Sequence, residues 1–362
     1  MLASYPHLGP LFSQTQMHIP DGYLSPLTSL VMFLLVLPFW VRAARVLRQR
    51  LSTRLVPLIA LFAAFSFVIM MFNVPLPGGT TGHAVGGALA AIILGPEIAT
   101  LAISIALVIQ ALFFGDGGIL AIGANCFNMA VVLPYSSYAI YQLIAGRSPV
   151  DSARRPFGAL VGGWIGLNLS AFFTAVEFGI QPLLFKAADG TPLYAPYPLE
   201  VAIPAMMIPH ILVASVIEGL VTGAVIAYLQ RANRPLLELN LQPEAAAQAA
   251  GFRPVRLLWV ALAVLIALTP LGLLAPGTAW GEWVSEELIQ IDPSLRAIPE
   301  GLKRLEGLWG APLANYEVPA LGNANLGYVI SAAVGVFLVA VTVWLFTALL
   351  TGSRTGTMRK HV

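Results

Sequence analysis

The sequence EIATLAISIALVIQALFF, at residues 97–114, contains one charged side chain, Glu97, at its first position. Its other side chains are apolar or small, apart from Gln110 near the far end. A helix that crosses the hydrocarbon core of a bilayer needs about 20 mostly apolar residues, and uncharged stretches of roughly 18 or more are typical of such helices. Residues 97–114 therefore predict a transmembrane helix.

Similar apolar stretches recur on both sides of residues 97–114. One of them, at 83–95, runs from His83 to a Gly-Pro break and is too short to cross alone, so we expect it to start from a loop that folds inward. Irregular backbone at membrane depth is tolerated where protein or a water-filled cavity surrounds it. The other predicted spans are 26–44, 55–73, 119–144, 157–183, 201–229, 255–275 and 326–350. Together they predict an all-α polytopic membrane protein with seven helices followed by two C-terminal transmembrane helices.

The composition of the chain also favours a membrane protein over a soluble one. Charged residues are 10% of the 362 residues, hydrophobic residues are 58%, and the mean hydropathy is +0.81, whereas soluble domains have about 25% charged residues. The single cysteine, Cys126, excludes an internal disulfide framework and multi-cysteine metal sites. The basic residues form no stripe outside the loops, which argues against nucleic-acid binding.

The basic residues also predict which side of the membrane each loop faces, because cytoplasmic loops carry an excess of Lys and Arg. If the N-terminus lies outside, only Lys186, Arg296, Lys303 and Arg304 are external. The inside segments then hold Arg42, Arg45, Arg48, Arg50, Arg54, Arg147, Arg154, Arg155, Arg231, Arg234, Arg253, Arg256, Arg354, Arg359 and Lys360. This bias predicts nine crossings, with the N-terminus outside and the C-terminus in the cytoplasm.

The spans divide the chain into two membrane regions. We predict a seven-helix membrane domain at 17–230, a cytoplasmic linker at 231–254, a two-helix accessory region at 255–350 and a cytoplasmic tail at 351–362. The accessory region encloses an outside loop at 276–325. Because this loop has no histidine or cysteine, we expect it to bring no nitrogen or sulfur side-chain ligand, and we expect deletion of 255–362 to leave a metal site in the first region intact while lowering uptake.

The first residues of the chain do not look like a targeting segment. Residues 1–16 lack the basic and apolar regions of a signal peptide. Met17 then opens the segment MHIPDGYLSP, which leads directly into the first span. We therefore expect Met17 to be the true first residue and 1–16 to be a non-native or disordered extension.

Two of the five histidines are placed where they can bind a metal ion. His18 follows Met17, and His83 lies in the glycine-rich stretch PLPGGTTGHAVGG. If Met17 is the terminus, its amine, the His18 amide and the His18 ring can chelate one ion in fused rings, and His83 adds a fourth nitrogen. Four nitrogens in a plane suit Ni²⁺, Cu²⁺ or low-spin Co²⁺, whereas Zn²⁺ prefers a tetrahedral site. The alternative is that both are ordinary histidines at the membrane interface.

Three longer stretches resemble the substrate-binding membrane component of cobalt and nickel energy-coupling-factor transporters, the CbiM/NikM family. They are MHIPDGYLSP, NVPLPGGTTGHAVGGALAAIILGPEIA and QALFFGDGGILAIGANCFNMAVV. The resemblance implies that Met17, His18 and His83 bind the metal. The 16-residue extension departs from the family pattern, because any upstream residue removes the amine. The region 255–350 is similar in layout to the two-helix accessory subunit of these systems (CbiN/NikN-like), here fused.

The resemblance also implies the cargo and the partners. The chain is expected to import Co²⁺ or Ni²⁺, for cobalamin biosynthesis or nickel enzymes, across a prokaryotic inner membrane. Its partners are expected to be a transmembrane coupling subunit and two cytoplasmic ATPase subunits, because the chain itself has no G-x-x-x-x-G-K-[ST] motif for ATP hydrolysis. No cofactor is implied besides the transported ion. The same four nitrogens can bind both metals, so the sequence does not decide whether cobalt or nickel is the transported ion.

Further polar residues are candidates for a second layer around the histidines. Asp21, Gln110, Asp116, Asn125 and Asn128 could orient the rings and line the pocket. The alternative for the residues at 110–128 is interhelical hydrogen bonding, and for Asp21 it is capping of the first helix.

A rival function rests on three intramembrane ionisable residues. Glu177, His210 and Glu218 could form the relay of a stand-alone proton-coupled divalent metal permease. The alternative is that hydrogen-bond partners within the protein satisfy each of them. A membrane enzyme is a third class, and the absence of H-E-x-x-H and G-x-S-x-G motifs weighs against it.

Overall fold

A computed structural model describes residues 17–50, 55–78, 80–240, 252–275, 278–293, 295 and 297–358. Within these ranges nearly all regular structure is helical, and the strands form one two-stranded hairpin. This confirms the predicted all-α class. The expected extension at 1–16 and the middle of the linker, at 241–251, lie outside the described residues.

Seven main helices make up the described part of the first membrane region. They are α1 (Pro26–Arg50), α2 (Leu55–Met70), α3 (Gly87–Leu94), α4 (Pro96–Phe114), α5 (122–145), α6 (Arg154–Gly179) and α7 (Leu199–Ala232). A π-helical turn ends α4 at Gln110–Phe114, and others interrupt α5 at Cys126–Val132 and α7 at His210–Ala214. Such turns are frequent at functional sites, and two of them begin at the candidate residues Gln110 and His210.

The second membrane region contributes two long helices and an ordered loop between them. Helix α8 (Phe252–Leu268) continues as a 3₁₀ turn at Thr269–Leu274. The loop contains two short helices, α9 (Ser285–Ile291) and α10 (Glu300–Leu305). The C-terminal helix α11 (Ala324–Met358) follows.

Six of the described helices are long and apolar enough to cross a membrane: Pro26–Arg50, Pro96–Phe114, Arg154–Leu184, Leu199–Ala232, Arg256–Leu274 and Ala324–Leu350. Helix α2 is apolar but shorter, and α3 has eight residues. The fold class is therefore confirmed, while the count of seven plus two crossings stays a prediction.

The short span predicted at 83–95 has to be corrected at its start. Strands β1 (Val74–Leu76) and β2 (Thr80–Gly82) pair as an antiparallel hairpin, and helix α3 begins only at residue 87. Gly86 precedes the helix with φ of 74°, in the left-handed region that interrupts a right-handed helix. His83 therefore lies in an extended segment. This segment and α3 are buried, as expected for irregular backbone surrounded by protein.

The segments predicted to face outside gather at one end of the bundle. The backbone of Ala195 donates a hydrogen bond to the carbonyl of Tyr23 at 3.0 Å, and Leu313 N–H donates to the Phe113 carbonyl at 2.9 Å. Segments predicted to face inside meet at the other end, where Arg50 donates to the side chain of Asn240 at 3.0 Å. This grouping is what the predicted topology requires, although the sidedness of the membrane itself stays a prediction.

The second membrane region is packed against the first through its last helix. Phe67 of α2 is fully buried, and its ring lies directly over Gly335 of α11, where any added Cβ would overlap the ring. Tyr328 of α11 donates a hydrogen bond to the Met71 carbonyl at 3.1 Å. The loop at 276–325 is thereby held over the end of the bundle that contains Met17.

Candidate metal centre

The segment that contains His18 is attached to the loop between α4 and α5. The Asp21 carboxylate accepts hydrogen bonds from the backbone N–H groups of Ile119 and Leu120, at 2.9 and 2.8 Å. Burial raises the pKa of Asp21, although these N–H groups act in the opposite direction. Helix α1 is capped by another residue, since Ser25 Oγ accepts from the Thr28 N–H at 3.0 Å. Asp21 therefore anchors the N-terminal segment rather than capping α1.

Asn125 of α5 fixes the same segment from the other side. Its side-chain oxygen accepts from the Ile19 N–H and its amide donates to the Ile19 carbonyl, each at 3.1 Å. Gly118 N–H donates to that same carbonyl at 2.9 Å. Because both ends of the amide bind one residue, Asn125 places the chain immediately after His18.

Asp116 joins three parts of the chain in one buried cluster. Its Oδ1 atom accepts a hydrogen bond from Met17 N at 2.8 Å and lies 3.2 Å from His18 Nδ1. Its Oδ2 atom accepts from the Tyr316 hydroxyl at 2.6 Å, and Gln110 donates to that hydroxyl at 3.0 Å. Burial alone would raise the pKa of Asp116, but the His18 ring and the hydrogen bonds outweigh it, so the pKa lies below its usual range.

One nitrogen of the His18 ring has a polar partner and the other has none among the described residues. Nδ1 faces Asp116, whereas the buried Nε2 atom has no hydrogen-bond partner among the described residues. A hydrogen bond to one ring nitrogen determines which nitrogen keeps the proton. A chelate ring that includes the His18 amide nitrogen can close only through Nδ1. An ion bound by the amide and by Nδ1 would therefore take the position that Asp116 Oδ1 occupies in the structure.

His83 lies beside His18. The two ring centroids are 5.2 Å apart and the planes are nearly perpendicular, at 85°. His83 Nδ1 is 3.1 Å from the Ala84 carbonyl, and Nε2 is 3.4 Å from the Met17 carbonyl. Burial, with the neighbouring His18, lowers the pKa of His83 to about 4. The ring is therefore neutral at physiological pH, which a metal ligand requires.

A cavity of about 70 Å³ opens onto both histidines. A single water needs at least roughly 10–15 Å³ of such space, so an ion with a few waters fits. Its walls include Met17, His210 and, from the loop of the second membrane region, Trp280 and Glu282. Among the described residues no three His, Cys, Asp or Glu side chains form a ready-made metal cluster.

The remaining second-layer candidates divide into two groups. Gln110 reaches the site through Tyr316, as described above. Asn128 lies further along α5 and donates to Thr174 and Glu177 of α6, each at 3.0 Å. It makes interhelical hydrogen bonds, which is the alternative that the sequence left open.

Glu177, His210 and Glu218 bond to separate parts of the protein rather than to one another. The Glu218 carboxylate accepts hydrogen bonds from the N–H groups of Val85, Gly86 and Ala88 at 2.8, 2.8 and 3.1 Å. It thus satisfies the free backbone donors at the start of α3 and positions the segment that contains His83. His210 Nδ1 is 2.7 Å from the Met206 carbonyl. For Glu218 and His210 these bonds are the structural partners that the sequence offered as the alternative to a proton relay, whereas Glu177 Oε1 has no hydrogen-bond partner among the described residues.

Sequence reasoning missed two side chains of the second membrane region. Tyr316 and Glu282 are buried at this site, although the loop was expected to supply no ligand to it. The loop has no histidine or cysteine, but it brings the oxygen atoms of Tyr316 and Glu282 to the site. One signal was available for Glu282, since it lies within Trp-Gly-Glu-Trp, at 280–283, where two large aromatic residues enclose a carboxyl group.

Comparison with known proteins gives consistent matches over both regions. The family model described as the cobalt uptake substrate-specific transmembrane region matches residues 18–236, and that of the PDGLE domain matches 254–352. The fused nickel transport protein NikMN of Rhodobacter capsulatus is 49% identical over 92% of this chain and 98% of its own length. A relative named "Probable fused nickel transport protein LarMN", from Lactiplantibacillus plantarum, is 40% identical over 90% and 96%.

Two solved structures are also similar. The crystal structure of a truncated transition metal transporter is 50% identical, with a TM-score of 0.56, over 59% of this chain and 98% of that one. The crystal structure of another transition metal transporter is 47% identical, with a TM-score of 0.58, over 65% of this chain and 100% of that one.

Proposed function

The chain belongs to the family of cobalt uptake substrate-specific transmembrane regions, and on that premise we propose that it captures Ni²⁺ or Co²⁺ at the outer face of a cell membrane for delivery to the cytoplasm. It is a multi-pass membrane protein and a component of nickel or cobalt transport. One observation carries the proposed site. Met17 N and His18 Nδ1 converge on a single atom, Asp116 Oδ1, beside the ring of His83.

This convergence supports a chelate at that position. When Met17 is the first residue, its nitrogen is an amine with a basic lone pair. Amine, His18 amide and His18 Nδ1 then close a five-membered and a six-membered ring around one ion, the amide binding only after it has lost its proton to solvent, and His83 supplies a fourth nitrogen. Such a donor set favours Ni²⁺ and Co²⁺ over Zn²⁺. Asp116 gives up its Oδ1 contacts when the ion enters, while Tyr316 keeps its other oxygen in place.

The energy for uptake comes from separate subunits on this proposal. The chain has no P-loop motif, so ATP hydrolysis is assigned to two cytoplasmic ATPase subunits acting through a transmembrane coupling subunit. The positive-inside pattern supports an external N-terminus in a prokaryotic inner membrane. Purification from native membranes tests the assembly, because the ATPase subunits should co-purify with the chain. A stand-alone permease would purify without them.

Metal binding to the purified protein that begins at Met17 tests the site. His18→Ala and His83→Ala should each abolish high-affinity binding of Ni²⁺ and Co²⁺, because loss of one planar ligand leaves an open, poorly selective site. His210→Ala is the control, since His210 lines the same cavity but is bonded to the Met206 carbonyl. Wild-type affinity in the His83→Ala protein would refute the assignment. Uptake assays with both ions then decide between nickel and cobalt.

A further inference from the structure

One buried carboxyl group at the metal centre has no structural role to explain it. Glu282 is 5% exposed and lines the cavity that also contains His18 and His83. Its Oε2 atom has no hydrogen-bond partner among the described residues. Two other buried carboxyl groups nearby are paired: Asp116 as described above, and Glu287 with the Thr278 hydroxyl, at 3.1 and 3.2 Å. A buried carboxyl oxygen without a partner is costly to folding, and in Glu282 this oxygen belongs to a side chain that lines the cavity, where a ligand can reach it.

The backbone holds Glu282 in this position. Trp283, the next residue, accepts a hydrogen bond on its carbonyl from the Tyr23 hydroxyl at 2.8 Å. Gly281, the preceding residue, has φ of 79° and lies so close to the Phe178 ring that a Cβ there would be 2.7 Å from it. Both contacts join the loop of the second membrane region to the first. The carboxyl group is therefore placed in the cavity by contacts on either side of it in the chain.

We propose that Glu282 is a transit ligand, an oxygen that first receives the divalent cation and then passes it to the nitrogens of His18 and His83. This inference rests on the proposed function. First-row divalent metals such as Ni²⁺ and Co²⁺ accept both carboxylate oxygen and imidazole nitrogen, and imidazole suits them better. An ion that arrives at Glu282 is thus drawn onward to the nitrogen ligands rather than retained.

The charges around Glu282 are consistent with an ion that binds first to Glu282 and then to the histidine nitrogens. Burial raises the pKa of Glu282 well above its usual range, and the negative charge of Asp116 acts in the same direction. An approaching divalent cation favours the ionised form of Glu282, because its positive charge offsets both effects, and the proton of Glu282 leaves to solvent as the ion arrives. Carboxyl groups that attract a cation into a cleft raise its association rate by about 10- to 1,000-fold. The effect of Glu282 is therefore expected in the rate of capture more than in the final affinity.

Rapid-mixing measurements of Ni²⁺ binding to the full chain test the inference. Glu282→Gln keeps the size of the side chain and removes its ability to ionise, and should slow Ni²⁺ association at least about tenfold, with a similar loss in uptake and little change in equilibrium affinity. Glu282→Asp retains a carboxylate and should recover most of the rate. Glu286→Gln is the matched control, because Glu286 is exposed four residues further along, and it should behave as wild type.

The outcomes separate this inference from the proposed function. Association at the wild-type rate in Glu282→Gln would overturn the transit role. So would a loss of equilibrium affinity as complete as that of His83→Ala, because Glu282 would then be a resident ligand. If the wild-type chain bound no Ni²⁺, or if His83→Ala bound it normally, the proposed function itself would fail. Thermal unfolding of Glu282→Gln near the wild-type temperature shows that the variant is folded.

Discussion

Asp116 is the residue on which the two regions of the chain converge. Its two oxygens have different partners: Oδ1 faces Met17 N and His18 Nδ1, and Oδ2 accepts a hydrogen bond from the Tyr316 hydroxyl. Tyr316 is itself stacked on Phe114, with ring centroids 4.8 Å apart. The carboxylate that orients the His18 ring is thus oriented in turn by a residue from the second membrane region.

Removing the Tyr316 hydroxyl should weaken metal binding. In Tyr316→Phe the Asp116 Oδ2 atom loses its 2.6 Å hydrogen bond, so the carboxylate is no longer held beside the ion once Oδ1 has given up its contacts with Met17 and His18. Loss of such an outer partner typically costs about 10- to 100-fold in metal affinity, and calorimetry with Ni²⁺ measures it. Tyr328→Phe is the control, because that buried hydroxyl donates to the Met71 carbonyl instead. Equal losses in both variants would contradict this role for Tyr316.

The nitrogen of Met17 should bind metal only when nothing precedes it. In the chain described here it is a peptide nitrogen that donates to Asp116, and a peptide nitrogen has no basic lone pair. A protein that begins at Met17 should therefore bind Ni²⁺ more tightly than one that begins at Met1. The difference in affinity should exceed about tenfold, because loss of a residue that only supports a ligand already costs that much. Titration of both proteins, with intact mass to identify the first residue, measures the difference. Tight binding by the longer chain would indicate another ligand in place of the amine, such as His7.

At the scale of helices, the second membrane region depends on close approach between α11 and α2. Gly335 faces the ring of Phe67, which is fully buried and also packs against the rings of Phe114 and Tyr316. Small residues at helix interfaces are what allow such contacts in membranes, where apolar surface alone does not favour association. The loop that contains Glu282 and Tyr316 is connected to this contact through α11.

Gly335→Ala should therefore destabilise the protein. Overpacking a well-filled core costs about 1–3 kcal/mol, and the loss should be visible as a lower midpoint of thermal unfolding in detergent. Gly310→Ala is the control, since Gly310 is exposed and has nothing within 4 Å of an added Cβ. An unchanged midpoint for Gly335→Ala would mean that α11 is free to shift away from α2.

The helices could be predicted from sequence because the bilayer imposes length and apolarity on each of them separately. The helix at 97–114 could be predicted without knowing which helices pack against it, and the observed α4 agrees with that prediction. The start of α3 was placed too early because Gly86 alone does not indicate that it takes a left-handed conformation. His18 and His83 could be selected by chemistry and by family resemblance. Asp116 and Tyr316 are 200 positions apart, and their contact depends on how the loop packs on the bundle, which no local pattern indicates.

Both regions of the chain contribute residues to the proposed site, so the second region is more than a separate attachment. The sequence suggested that loss of the second region would leave the metal site intact. The contacts of Tyr316 with Asp116 and of Trp283 with Tyr23 indicate otherwise. The first region supplies the nitrogens, while the second supplies a hydroxyl that orients Asp116 and a carboxyl group within the cavity.

Deleting residues 255–362 should consequently lower Ni²⁺ affinity as well as uptake. The deletion removes the Tyr316 hydroxyl, so its affinity should fall at least as far as that of Tyr316→Phe, about 10- to 100-fold. It also removes Glu282, so association should slow as it does in Glu282→Gln. Binding and uptake are measured on the truncated protein after circular dichroism and gel filtration have shown that its helices and size are retained. Wild-type affinity in a folded truncated protein would mean that Met17, His18 and His83 are held in place by the first region alone.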